Sequence, residues 1–259
     1  MNEIEKKESL NDEKKTDNGL TFHWFNLIIG FVISYFLFDE FYTSWTLPFS
    51  LVLAIAIHEL GHLIIGKSFG CVVKEMQVFF LCFVSYQPKQ VSESNSWRNI
   101  KWSLGSLPLG GFTLFKMRSD DAEEALPGKE SAKASPYIDD KPAWQQLLIS
   151  AGGMLFNFAA IFIFFLLSEL DIPYQWSVLC VYTGGLSLIL ILLNIIPIYP
   201  LDGGRIIFSF FEMVTGKKLP TWWEDLCGII GFILIIIFFY IYTDWFQLYL
   251  EHIADFFDF

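Results

Sequence analysis

Cysteine is scarce in this chain and carries no pattern. Cys71, Cys82, Cys180 and Cys227 include no CxxC pair and no repeated spacing. Nothing supports a disulfide framework, and they read as free thiols or core fillers. A basic stripe is missing too. Lys and Arg number 17 against 28 Asp and Glu, and the formal net charge of -11 argues against a nucleic-acid partner. No segment repeats at a fixed period, so the two similar halves common in transporters are absent. The first twenty residues are nearly devoid of hydrophobic side chains and rich in Glu, Lys, Asp and Asn. They lack the apolar stretch of a cleavable signal, and residues 1–22 are expected to form a disordered cytosolic tail.

What is abundant is apolar. The composition is 54% hydrophobic and 18% aromatic, with 28 Phe, and the mean hydropathy is +0.46. These values are too high for an ordinary soluble domain. They imply an all-α polytopic integral membrane protein in which residues 23–259 make one membrane-embedded domain. A span needs about 20 apolar residues. Five candidates lie near 25–38, 47–65, 144–167, 176–196 and 226–242. The long link over 67–141 adds a small β element. Residues 72–86 are rich in Val, Phe and Tyr and read as strand, and LGSLPLGGFTLFKM at 104–117 reads as a hairpin or membrane-dipping loop. Residues 119–140 are polar and read as a flexible loop. Trp24, Trp45, Trp176 and Trp245 suit interfacial anchors, and the amphipathic stretch 206–214 an interfacial helix.

The basic residues set the orientation. The N-terminal tail carries four, the 67–141 link ten, and Arg205, Lys217 and Lys218 follow the fourth segment; the other links and the C-terminal tail carry none. All 17 therefore fall on one side of a five-span arrangement. This predicts a multi-pass protein with a cytosolic N-terminus and a C-terminus outside. Ile, Phe and Lys usage in so compact a layout suggests a bacterial plasma membrane.

Inside the second segment stands His58-Glu59-Leu60-Gly61-His62. Positions i and i+4 share a helix face, so the two histidines can hold one metal ion, and Glu59 beside them can act as a base. Ionisable groups at membrane depth are costly and mark function. Catalytic zinc usually takes three protein ligands. Among the remaining carboxylates Asp202 stands out, in the run NIIPIYPLDGG from Asn194 to Gly204. Its prolines break the helix, and Gly203-Gly204 permits a tight turn or close backbone approach. Asn157, in AGGMLFNF, and Asn194 are polar groups in apolar surroundings, suited to hydrogen-bonding a substrate backbone or a neighbouring helix.

HELGH within a span, PLGGF in the following link, AGGMLFNF in a later span and NIIPIYPLDGGR near the end resemble, in order, the site-2 protease family of intramembrane zinc metalloproteases. The resemblance covers the chain from about residue 47 to residue 205. It implies one Zn2+ held by His58, His62 and Asp202, a catalytic Glu59, and substrate-positioning roles for Asn157 and Asn194. The implied substrate is a transmembrane protein or a signal-peptide-like remnant in the lipid bilayer, cut near its cytosolic end. Proline is common in that family where Gly153 and Tyr199 stand here, and the link between the third and fourth segments is too short for a PDZ domain. The competing reading is a non-catalytic membrane protein that keeps the fold and clamps a partner, although such a clamp has no need of Glu59.

Overall fold

The computed structural model describes residues 19–37, 45–89, 96–121, 135–220, 222–224, 226–234 and 237. In chain order these form β1 (Gly19–Phe22), α1 (Trp24–Leu37), α2 (Thr46–Ser68), β2 (Val73–Gln87), β3 (Lys101–Phe115), α3 (Ala143–Ser168), α4 (Tyr174–Asn194) and α5 (Asp202–Thr215). Residues 226–234 are also helical.

Helices α2, α3 and α4 have 23, 26 and 21 residues and are long and apolar enough to cross a membrane. At 1.5 Å per residue each measures about 30 to 40 Å, against a hydrocarbon core of about 30 Å. They coincide with the second, third and fourth expected segments. The first, 25–38, is α1, whose 14 residues reach only about 21 Å. Of the fifth, 226–242, the part from 226 to 234 is helical, and most of the rest lies outside the described residues, as does Trp245. Large apolar side chains point away from the protein along α3, among them Phe158, Phe162 and Leu166, as a lipid-facing surface requires. Trp45 and Trp176, one at the start of α2 and one at the start of α4, meet edge to face at 5.9 Å. The hydroxyl of Ser50 donates to the Leu179 carbonyl one turn further on. These two helices therefore run parallel, and α3 runs against them.

The β element is larger than expected. In place of one hairpin there is a three-stranded sheet in the order β1-β2-β3. The stretch 104–117 is mostly strand β3, which folds back at Pro108-Leu109-Gly110 and lays Thr113 against Glu59 of α2. Part of the expected tail is also structured: Gly19 pairs with Gln87 and Phe22 with Val84, while residues 1–18 lie outside the described residues. Strands β2 and β3 each double back, so they meet twice. Met76 pairs with both Trp102 and Thr113, Gln77 with both Ser103 and Phe112, and Val78 with both Leu104 and Gly111. Residues 84–86 of the returning half of β2 pair with 104–102. The lanes therefore run β1, 84–87, 101–104, 75–78 and 111–115, and no strand among the described residues covers the far side of 111–115.

Two bends make this possible. Phe79 and Leu81 adopt positive φ of 65° and 54°, costing about 1–2 kcal/mol each for L-residues. Hydrogen bonds hold them there: Gln77 Nε2 donates to the Phe79 carbonyl at 2.7 Å and Asn26 Nδ2 of α1 to the Cys82 carbonyl at 2.6 Å. Strand β3 bends at Pro108-Leu109-Gly110, where Gly110 has φ 137°, a conformation open mainly to glycine. The apolar core lies between the sheet and α2, where Ile55 and Leu63 meet Met76, Val78 and Phe115.

Candidate metal centre

Helix α2 brings His58 and His62 onto one face, and both are buried. Asp202 arrives from the first turn of α5, where a carboxylate is favoured by the helix dipole. Its Oδ2 lies 2.9 Å from His58 Nε2 and 3.1 Å from His62 Nε2, and the two Nε2 atoms are 3.2 Å apart. One ligand atom from each of the three residues lies within 4.8 Å of the others, a grouping able to hold a metal ion.

Glycines let the helices come this close. The backbones of α2 and α3 touch at Gly61 and Gly152: a Cβ on Gly152 would stand 2.8 Å from the Gly61 carbonyl oxygen. Gly153 lies under the imidazoles, and a Cβ there would stand 2.5 Å from Nε2 of both His58 and His62. Gly203 seats the start of α5 against the end of α4, with the Asn194 and Ile195 carbonyl oxygens 2.8 Å from where its Cβ would be. The expected close approach at Gly203-Gly204 is thus helix end against helix end.

Neighbouring groups hydrogen-bond to the candidate ligands. His62 Nδ1 lies 2.7 Å from the Ile149 carbonyl oxygen. This contact puts the ring proton on Nδ1 and leaves Nε2 free. His58 Nδ1 lies 3.3 Å from the Asn157 amide, and Asn157 is fully buried. Asn194 donates to the Leu190 carbonyl at 3.0 Å and accepts from the Asp202 N–H at 3.5 Å. Its amide is turned to the protein's own backbone at the aspartate.

Glu59 is buried beside the pair. Thr113 of β3 donates to its Oε2 at 2.9 Å and also reaches its backbone carbonyl at 3.1 Å. Gly111, two residues earlier on the same strand face, leaves room for the glutamate: a Cβ there would stand 3.1 Å from Glu59 Cγ. Thr113 and the Ile149 carbonyl were missed by the sequence reading. The carbonyl has no side-chain signature. The only clue to Thr113 was its place two residues after the PLGG bend.

The donor set fits zinc. Two imidazole nitrogens and one carboxylate oxygen are ligands that zinc takes in catalytic sites, where a fourth position stays open. A family profile, Peptidase family M50, matches residues 46–172 and 168–238, which include all three candidate ligands. Metalloprotease MmpA of Caulobacter vibrioides is 25% identical over 128 residues, 44% of this chain and 30% of that protein. A solved site-2 protease from Methanocaldococcus jannaschii has a TM-score of 0.49 at 19% identity, covering 87% of this chain and 81% of that one. The chain spans between 10% and 33% of the length of the curated relatives it matches. With the family profile covering most of its length, the chain belongs to peptidase family M50, the site-2 protease family.

Proposed function

We propose that this protein is an intramembrane zinc endopeptidase with His58, His62 and Asp202 as metal ligands and Glu59 as general base. The convergence of the three ligand atoms, with a buried carboxylate on the adjoining residue, carries this reading. When bound, zinc supplies Lewis acidity toward a scissile carbonyl and makes water more acidic. Glu59 takes the proton of the attacking water and returns it to the leaving amine. Thr113 occupies Oε2, which leaves Oε1 to face that water. Asn194 holds Asp202 in place through the backbone N–H.

The substrate in this reading is a transmembrane helix or signal-peptide remnant. Such a helix hides its carbonyls in internal hydrogen bonds and must unwind before attack. The outer lane 111–115 runs beside Glu59, and its uncovered side offers backbone groups to an unwound strand. Prolines at alternating edge positions should cut turnover if this pairing is used. The distribution of Lys and Arg supports five spans, a cytosolic N-terminus and cleavage near the cytosolic end of the substrate in a bacterial plasma membrane.

The test compares cells carrying the wild type with cells carrying Glu59→Gln, by quantitative mass spectrometry of membrane and released peptides. A membrane precursor should accumulate in the variant and its fragment vanish, while zinc content is unchanged. Turnover should fall by about 100-fold or more, the scale of general-base catalysis. Matching peptide profiles with zinc still bound would leave a non-catalytic clamp as the better description.

A further inference from the structure

A neutral histidine that binds a metal through Nε2 carries its proton on Nδ1, and that proton needs an acceptor. His62 has one in the Ile149 carbonyl, at 2.7 Å. His58 has no backbone carbonyl in the equivalent place among the described residues. The group at its Nδ1 is the side chain of Asn157, from α3, with Nδ2 at 3.3 Å. In that orientation two things are wrong for a metal site. An amide N–H pointing at Nδ1 requires Nδ1 to be bare, which moves the ring proton to Nε2, the atom facing Asp202. In addition, Asn157 Oδ1 is left without a hydrogen-bond partner in a residue that is 0% exposed.

The two ends of an asparagine amide are alike in shape, and the network decides between them. Either orientation leaves one end of this amide without a protein partner. Only the reversed one gives the Nδ1 proton an acceptor and frees Nε2.

We infer that Asn157 is a positioning residue for His58. Its Oδ1 accepts the Nδ1–H and fixes the tautomer and ring plane that metal binding needs. In this role it does not contact substrate. The two histidines are then held alike, one by a backbone carbonyl of α3 and the other by a side-chain carbonyl two turns further along the same helix. This inference rests on the zinc-site reading above.

The experiment uses the full chain in detergent, with Zn2+ titrated against a chromogenic chelator. The variants are Asn157→Ala, Asn157→Leu, Asn157→Asp and His62→Ala. Leu keeps the volume without an oxygen, and Asp keeps an acceptor at the same reach. Asn157→Ala and Asn157→Leu should bind zinc about 10- to 100-fold more weakly, the usual cost of losing a group that orients a ligand. Asn157→Asp should return affinity to within about threefold of the wild type, since carboxylates serve histidine ligands in the same way. The visible bands of the Co2+-loaded protein should be altered in the Ala and Leu variants and restored in Asp. Wild-type zinc affinity in the Ala and Leu variants, with His62→Ala impaired, overturns the role of Asn157 and leaves the zinc site standing. Equal loss in Asp and Ala also overturns it, because an acceptor would then not be what matters. Zinc binding undiminished in His62→Ala overturns the zinc site itself.

Discussion

The helical half and the sheet half of this protein are held together by different means. Around the histidines, contact is backbone against backbone, at Gly61 and Gly152 and at Gly203 against the end of α4. A single added methyl there has nowhere to go. Around the bends of β2, side chains hold the backbone by hydrogen bonds: Gln77 to Phe79, Asn26 to Cys82, and Ser106 to Leu81 at 3.3 Å. Each such bond is worth about 1 kcal/mol net. The half that carries the candidate ligands is therefore closely packed, backbone on backbone. The half that borders Glu59 is held by many small terms.

The seam between the halves gives the largest expected effect. Cys71 joins α2 to β2 and is fully buried, and burial pushes its thiol up to about 11 against the opposing charge of Lys141. At pH 8 the thiolate fraction is then about 100-fold below that of an ordinary thiol. Iodoacetamide labelling followed by peptide mapping should find Cys71 correspondingly slow, with reactivity returning only as the pH approaches 11. Rapid labelling at pH 8 would mean that the halves part readily. Next in size is Gly152→Ala, which forces α2 and α3 apart. Overpacking of this kind costs about 1–3 kcal/mol. We expect a lower melting temperature and zinc affinity down by about tenfold, because α3 also carries the Ile149 carbonyl and Asn157. Unchanged zinc affinity would show that the helical half is more compliant than its contacts suggest. The smallest effect belongs to the sheet. Thr113→Val removes one hydrogen bond to Glu59 and should lower turnover about fivefold, the equivalent of about 1 kcal/mol, with zinc affinity unchanged. A change in zinc affinity would mean that the sheet supports the metal ligands as well as the base.

Much of this was legible in the residues. The i, i+4 spacing of His58 and His62 places them on one face of any helix, and long apolar runs give three helices within a few residues of their ends. Asp202 was picked out by the broken helix and paired glycines before it was met in space. What escaped depends on partners distant in sequence. Strand β1 is four residues long and becomes a strand only by pairing with residues 84–87. The doubling of β2 requires positive φ at Phe79 and Leu81, residue types that announce nothing of the kind. Asn157 and Asn194 were recognised as polar groups out of place, but sequence could not say that one would meet His58 and the other the Asp202 backbone.

His58 and Asp202 are separated by 144 positions in the chain. During synthesis, then, the HELGH helix is made long before the third proposed ligand exists. Throughout that interval a nascent chain holds a base and two imidazoles but no complete metal site. In the proposed reading the site is complete only after α3, α4 and the start of α5 have been made and have packed together.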